Sequence, residues 1–230
     1  MIKNLARRLF GGTLRERTLV MVRFDLLRWR TRWRARWRGR LRKRPPSSAK
    51  LNLACGDGRV KSWLNVDVRG SDFDVDLGSG RLPWTDGSFD CVVAQHLIDD
   101  LEIERELIPL LKEIRRVLKP NGELWASTPD MEKICRSFIA DGGAALLADR
   151  RSRMPGFSLG GYPDSHYMNA IFFEWGRNMN LFDFPLLREV LRRAGFEECR
   201  RVDEYEFLER FPGFPPRRDD FQSLYVLAIR

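Results

Sequence analysis

Gly56 and Gly58 stand one residue apart in Lys50 to Asp67, KLNLACGDGRVKSWLNVD, directly after the apolar run of Leu51, Leu53 and Ala54. Glycines at that spacing let the backbone turn sharply and approach a ligand with no Cβ in the way. A short buried strand that stops at such a turn, with a helix start behind it, would aim backbone amides into one space. A second apolar stretch, Trp63 to Val68, ends in an acid, Asp67. An acid at a strand tip beside a glycine turn is placed to accept hydrogen bonds from ribose hydroxyls, although a turn or capping acid would read the same way. The chain has two histidines. His96 follows the apolar run Phe89 to Ala94 directly, on the C-terminal edge where open α/β sheets bind ligands, and His166 lies in an irregular stretch. Either can take a proton from an oxygen or nitrogen near neutral pH, and either can equally be a hydrogen-bonded structural histidine.

These residues need a scaffold. From Lys50 to Asp130 the pattern runs strand, glycine turn, strand, loop, strand, helix, strand, which predicts an α/β, Rossmann-like, doubly wound and mostly parallel sheet. The gap from Gly58 to Asn65 leaves room for barely two helical turns, so the first crossover helix is expected to be short. Glu102 to Leu118 reads as an amphipathic helix kinked at Pro109, stopped by Lys119-Pro120-Asn121-Gly122. Pro185 to Ala194 reads as a helix capped by Asp183 and Gly195. Phe196 to Phe207 and Phe221 to Ile229 are expected to close the chain as two strands, an antiparallel pair at the sheet edge, joined by the Pro-rich basic loop Phe211 to Asp220. Residues 141–183, rich in glycine and then in aromatics, are expected to form a lid-like insertion.

As a set, Cys55-Gly56-Asp57-Gly58, Trp63-Leu64-Asn65-Val66-Asp67, Asp76-Leu77, Leu82-Pro83-Trp84, Gln95-His96, Arg116 to Leu124 and Thr128-Pro129-Asp130 resemble a class I S-adenosylmethionine (SAM) dependent methyltransferase of the type 11 kind. The compact spacing up to Asp67 is similar to a bacterial group of predicted SAM-dependent methyltransferases. The resemblance implies that Ala54, Cys55, Gly56 and Gly58 hold the methionine end of SAM, Asp67 and Val68 the ribose, Asp76 and Leu77 the adenine, and Gln95 the carboxyl side. Ala54 stands where the family usually has its first glycine. Asp99-Asp100 stand where relatives read Glu-His, so one of these acids would replace a histidine on the acceptor side. Asp164-Ser165-His166 and Glu174-Trp175-Gly176-Arg177 are similar to a His, aromatic and Trp-Gly segment of the same proteins. On this reading the catalytic candidates are His96, His166, Asp99 and Asp100.

A chain of 230 residues with 43% hydrophobic content can bury one full core. We therefore expect a basic extension and linker over 1–48 and the catalytic domain over 49–230. Cys55, Cys91, Cys135 and Cys199 lie far apart with no C-x-x-C pair, which suits reduced structural thiols in a cytosolic protein and argues against zinc. Residues 1–44 hold 16 Lys and Arg against Glu16 and Asp25, whereas residues 45–230, with 25 basic and 30 acidic residues, are mildly acidic. Trp29, Trp33, Trp37 and Leu41 recur every four residues, continued upstream by Val22 and Leu26; read as a strand, the same stretch puts its arginines on one face. Leu, Met and Arg content favours the helix, and Gly39 weakens its end. Such an arm, residues 19–44, suits an anionic membrane surface, but also RNA, a protein partner or plain solvation. No stretch is long and apolar enough to span a bilayer, and Met1 to Gly12 has no signal-peptide core.

The expected function is transfer of a methyl group from SAM to an oxygen or nitrogen of a small-molecule, glycan or lipid-linked acceptor, in the cytoplasm and peripheral to the inner face of the membrane. An RNA methyltransferase using the basic arm and a non-enzymatic SAM-binding scaffold are the alternatives. A nicotinamide enzyme fits worst, because Lys61 stands where its third glycine would be.

Overall fold

The computed structural model describes residues 16–37, 45–173 and 178–230. Expectations for Met1 to Gly12, Gly39, Leu41 and Glu174 to Arg177 lie outside the described residues. Among these, seven strands form one sheet: β1 (Lys50–Leu53), β2 (Leu64–Asp67), β3 (Phe73–Asp74), β4 (Phe89–Gln95), β5 (Leu118–Pro129), β6 (Glu198–Val202) and β7 (Ser223–Ile229). Their order is β3-β2-β1-β4-β5-β7-β6, parallel from β3 to β5, with β7 antiparallel to both of its neighbours. The winding reverses between β1 and β4, so the crevice outside their C-terminal ends is the expected ligand site. The antiparallel C-terminal strand lies one place inside the edge, which is β6. The predicted strand Phe196 to Phe207 is a strand only over Glu198–Val202; a helix, α7 (Glu204–Arg210), capped by Asp203, takes its second half.

Strict alternation along the strands makes two apolar faces. Leu51, Leu53, Leu64, Val66, Val92, Ala94, Leu124, Ala126, Leu224, Val226 and Ala228 share one core with Leu110, Leu111, Ile114 and Val117 of α2 (Ile108–Val117) and with Leu187, Val190 and Leu191 of α6 (Phe184–Arg193). Pro109 sits in the first turn of α2, where its missing N–H costs nothing, and a π turn over Ile103–Leu107 leads into it in place of the expected kink.

The opposite face carries Cys91, Val93, Trp125, Tyr225 and Leu227, packed with Val60, Phe207, Phe211 and Phe214. A first crossover helix would cover this face, yet residues 54–63 contain turns and no helix. The C-terminal aromatics take that place. Trp63 meets Phe211 and Phe214 edge-on at ring distances of 5.2 and 4.9 Å, a favoured aromatic geometry.

The stretch expected as a lid, residues 141–183, contains two helices, α4 (Ala144–Arg153) and α5 (His166–Phe173), and packs with α3 (Met131–Asp141) ahead of it. Ile134, Leu146, Leu147, Tyr167 and Ile171 give it a core of its own. It is tied to the sheet by the Tyr167 hydroxyl, which donates to Gln222 Oε1 at 2.9 Å. The amides of Met179 and Asn180 also donate to the Asp99 carbonyl, at 2.8 and 3.2 Å. Upstream, Glu16–Trp37 is an α-helix, α1, which settles the helix-or-strand ambiguity of that segment. Among the described residues, no helix is long and apolar enough to cross a membrane.

Candidate active site

The glycine turn is held by amide side chains instead of a helix. Asn52 on β1 and Asn65 on β2 are register partners whose side chains share the aromatic face. Asn52 Nδ2 donates to Asn65 Oδ1 (3.1 Å) and to the Gly58 carbonyl (3.2 Å). Asn65 Oδ1 also accepts the Val60 amide at 2.9 Å, and its Nδ2 donates to the carbonyls of Val60 and Trp63 and to Asp72. Buried amides of this kind, each satisfied, fix a loop that has no regular hydrogen bonding. The backbone and side-chain N–H groups of Asn65 hold the Asp72 carboxyl below its ordinary range.

The turn itself is open. Ala54 and Gly56 have φ of 52° and 50°, and nothing lies within 4 Å of where a Gly56 Cβ would stand. The left-handed conformation favours glycine at both places, and Ala54 accepts it at a cost of about 1–2 kcal/mol. The Gly56 amide donates to Asp67 Oδ2 at 2.8 Å and the Val68 amide to Oδ1 at 2.6 Å, so the carboxylate joins the turn to the tip of β2 with lone pairs to spare for hydroxyl donors. Burial, then the Asp67 charge, pushes the Cys55 thiol up to about 11, which removes it as a nucleophile at neutral pH.

On β4, Gln95 pairs with Ser127 across the sheet and His96 follows with φ of 50°, its amide donating to the Ser127 carbonyl at 2.8 Å. The His96 Nε2 lies 3.0 Å from Asp219 Oδ2 and 3.4 Å from Ser223 Oγ. Asp219 also accepts the Tyr225 hydroxyl (2.6 Å) and Arg217 Nε (2.9 Å). Burial acts to raise the Asp219 carboxyl, but the hydrogen bond and charge of a protonated His96, with Arg217 and the Tyr225 hydroxyl, outweigh it and hold the group well below the carboxylate range. The carboxylate is therefore ionised, and beside it a neutral imidazole would donate through Nε2 and present Nδ1 as an acceptor.

Asp219 is aimed by a second acid. Glu204, buried at the start of α7, accepts the amides of Arg217 (2.5 Å), Arg218 (2.7 Å) and Asp219 (3.1 Å). Arg218 has φ of 55°, and three successive amides turned onto one anion make an anion-binding nest.

Residues 51–126 match the family model described as a methyltransferase domain. The match covers about a third of the chain, from β1 to the middle of β5. No curated protein matches the chain. Solved structures that resemble the chain include a SAM-dependent methyltransferase from Thermotoga maritima, with 17% identity over 80% of this chain and 83% of that one, TM-score 0.48. Another, from Archaeoglobus fulgidus, has 15% identity over 99% of both chains, TM-score 0.47. A protein from Nostoc punctiforme named for O-methyl transfer has 11% identity and TM-score 0.46; the chain covers 51% of it, about half its length.

The residues present fit SAM as a cofactor. An open turn with no Cβ beside an acid at the tip of β2 suits an adenosyl group with a charged methionine end. The fit is less simple at Asp76, whose carboxylate is 3% exposed and held by Arg28 Nε at 2.9 Å and by Arg32 Nε. Leu77 beside it is buried, and Val68 accepts the Thr31 hydroxyl through its carbonyl at 3.0 Å.

Of the acceptor-side candidates, Asp99 and Asp100 form a short 3₁₀ turn after β4; Asp99 is buried and its carbonyl clasps residues 179 and 180. His166 opens α5, stacks at 4.8 Å on Tyr162 and meets Asn169 Nδ2 at 3.3 Å. Those contacts keep it within the helical insertion, whereas His96 belongs to the sheet edge. Asp219, Glu204 and Asn65 carry the site and were not singled out from the sequence. The αL turn at Arg217-Arg218 has no glycine to announce it.

Proposed function

We propose that the protein is a SAM-dependent methyltransferase that acts on an oxygen or nitrogen of a small-molecule, glycan or lipid-linked acceptor, with His96 as the base and Asp219 as its partner. The carrying observation is the 3.0 Å contact between His96 Nε2 and an ionised, buried Asp219 at the C-terminal end of β4, one strand from the glycine turn. Bound SAM supplies an electrophilic methyl group on a sulfonium. Ala54, Gly56 and Gly58 would orient its methionine end, Asp67 its ribose, and Gln95 the carboxyl side. His96 Nδ1 would take the acceptor's proton while Asp219 stabilises the imidazolium that forms. The insertion built on α3 to α5 would close over the acceptor and exclude water, and alignment of this kind contributes about 7–11 kcal/mol in favourable systems. We place the protein in the cytoplasm, peripheral to the inner face of the membrane, because the basic residues concentrate in its first 44.

Calorimetric titration of SAM, S-adenosylhomocysteine and NAD into the purified protein tests the cofactor side. Micromolar binding of both adenosyl ligands, lost in Asp67→Ala, is expected. Loss of turnover in His96→Ala with adenosyl affinity retained tests the base, and unchanged turnover would remove it from that role.

A further inference from the structure

Helix α1 has two faces. Inward, Thr31 Oγ1 donates to the Val68 carbonyl, Arg28 and Arg32 hold the two oxygens of Asp76, and Arg28 Nη2 reaches Glu106 Oε1 at 2.5 Å. About half a turn around the helix, Val22, Leu26, Trp29 and Trp33 follow one another at helical spacing and are 44%, 49%, 63% and 50% exposed. Exposed Arg23, Arg30 and Arg34 flank that stripe. The helix thus turns its hydrogen-bonding side to the protein and Val22 and Leu26 to solvent, while the indoles of Trp29 and Trp33 stand at the border, half exposed or more and edging a cavity beside the clasp.

The groups α1 holds lie where an adenine has to go. The Val75 amide donates to the Asp67 carbonyl at 2.8 Å, so Asp76 stands beside Asp67 on the ligand edge of the sheet. With its methionine end on the turn after β1 and its ribose on Asp67, an adenosyl group can extend its base only over the tips of β2 and β3. Val68 and Asp76 are those tips. The docking is also thinly packed: a cavity of about 680 Å³, lined by Trp29, Arg32, Trp33, Phe73, Asp76 and Arg81, opens beside the clasp. Polar contacts to Val68, Asp76 and Glu106 therefore carry much of the hold.

We propose that α1 is a displaceable strap, docked over the adenosyl end of the site, which an anionic lipid surface draws off through the Val22, Leu26, Trp29 and Trp33 stripe. The proposal rests on the SAM reading above. A ligand shifts such an equilibrium only by binding one state better. Released, α1 can lay Arg28 and Arg32 on headgroups as well as sink its indoles, and each added basic contact is worth about fivefold in lipid affinity. Two of them give a preference of roughly 30-fold for the released state, in which Asp76 is returned to the cofactor. Val22 and Leu26 match acyl chains and offer nothing to the phosphates of RNA, which decides the choice of partner.

The test titrates S-adenosylhomocysteine into the full chain with phosphatidylglycerol vesicles, with phosphatidylcholine vesicles, with an RNA oligonucleotide and with none. Tenfold or greater tightening by phosphatidylglycerol alone is expected, abolished by the Trp29→Ala/Trp33→Ala variant. Arg28→Ala/Arg32→Ala should tighten binding with no vesicles present. So should Gly78→Ala, since a Cβ there would stand 1.9 Å from Arg28 Nη2 and must push that side chain away. Equal or weaker binding in both released variants would overturn the strap, and tightening by RNA but not by vesicles would overturn the lipid. Amide hydrogen exchange over residues 68–77 reads the strap without cofactor. It should rise on phosphatidylglycerol, and unchanged exchange would sink the proposal even if no adenosyl ligand binds. If exchange rises and no form binds S-adenosylhomocysteine, the strap stands and the cofactor reading falls.

Discussion

His96 and Asp219 are 123 residues apart in the chain and 3.0 Å apart at the ligand edge of the sheet. The contact gives the imidazole a fixed proton on Nε2 and a free edge at Nδ1. Asp219→Asn should keep the pocket's shape and lower turnover by about 10²- to 10⁴-fold, the usual worth of a positioned acid–base group. Adenosyl affinity should change little. The acidic limb of the pH–rate profile should move to lower pH, because the carboxylate that stabilises the imidazolium is gone; a limb that stays in place would deny Asp219 its part.

The same carboxylate links stability to pH. Its folded-state pKa is depressed, so its contribution is fully present above its unfolded value of about 4 and is lost as pH falls through the folded value. Urea unfolding below about pH 4 should show the wild type losing stability more steeply than Asp219→Asn, and converging slopes at neutral pH.

Glu204 acts on the reaction through Asp219. Glu204→Gln keeps the volume but weakens the acceptor of three amides, and hydrogen bonds to a charged group are worth about 1.5–3 kcal/mol each. The variant should unfold at lower urea and should shift the pH–rate profile in the same direction as Asp219→Asn, which a purely structural defect would not do.

Asn65 stands in for a helix. Asn65→Leu would leave the Val60 amide and one N–H of Asn52 Nδ2 without an acceptor, the other still reaching the Gly58 carbonyl, at about 1–3 kcal/mol for each buried group unsatisfied. Loss of stability of that order, together with weakened S-adenosylhomocysteine binding through a disordered turn, is expected; intact binding would show that the turn holds itself.

Burial pushes the thiols of Cys91 and Cys199 up to about 11, as it does that of Cys55. All three should resist alkylation by iodoacetamide at pH 7.5 in the native protein and react in urea. Rapid labelling of Cys55 in the native state would mean that the glycine turn opens.

Periodicity and turn chemistry carry the parts of this protein that are local. Continuous apolar runs specify β4 and β7, Asp183 and Pro185 mark the start of α6, and the glycine turn with Asp67 marks the proposed cofactor end, each within a dozen residues of chain. Three relationships could not be read that way. No crossover helix forms after Gly58, because Phe207, Phe211 and Phe214, some 150 residues later, already cover that face. Asp219 reaches His96 because Glu204 gathers the amides around it. Arg28 and Arg32 spread along α1 as two of many arginines until the fold sets Asp76 beneath them. By itself, the sequence determined which segments can form strands, turns and helices, since those depend on neighbours one to four residues away. The tertiary structure alone decided which distant polar groups face each other, because that follows from how the layers pack and from the need of every buried charge for a partner.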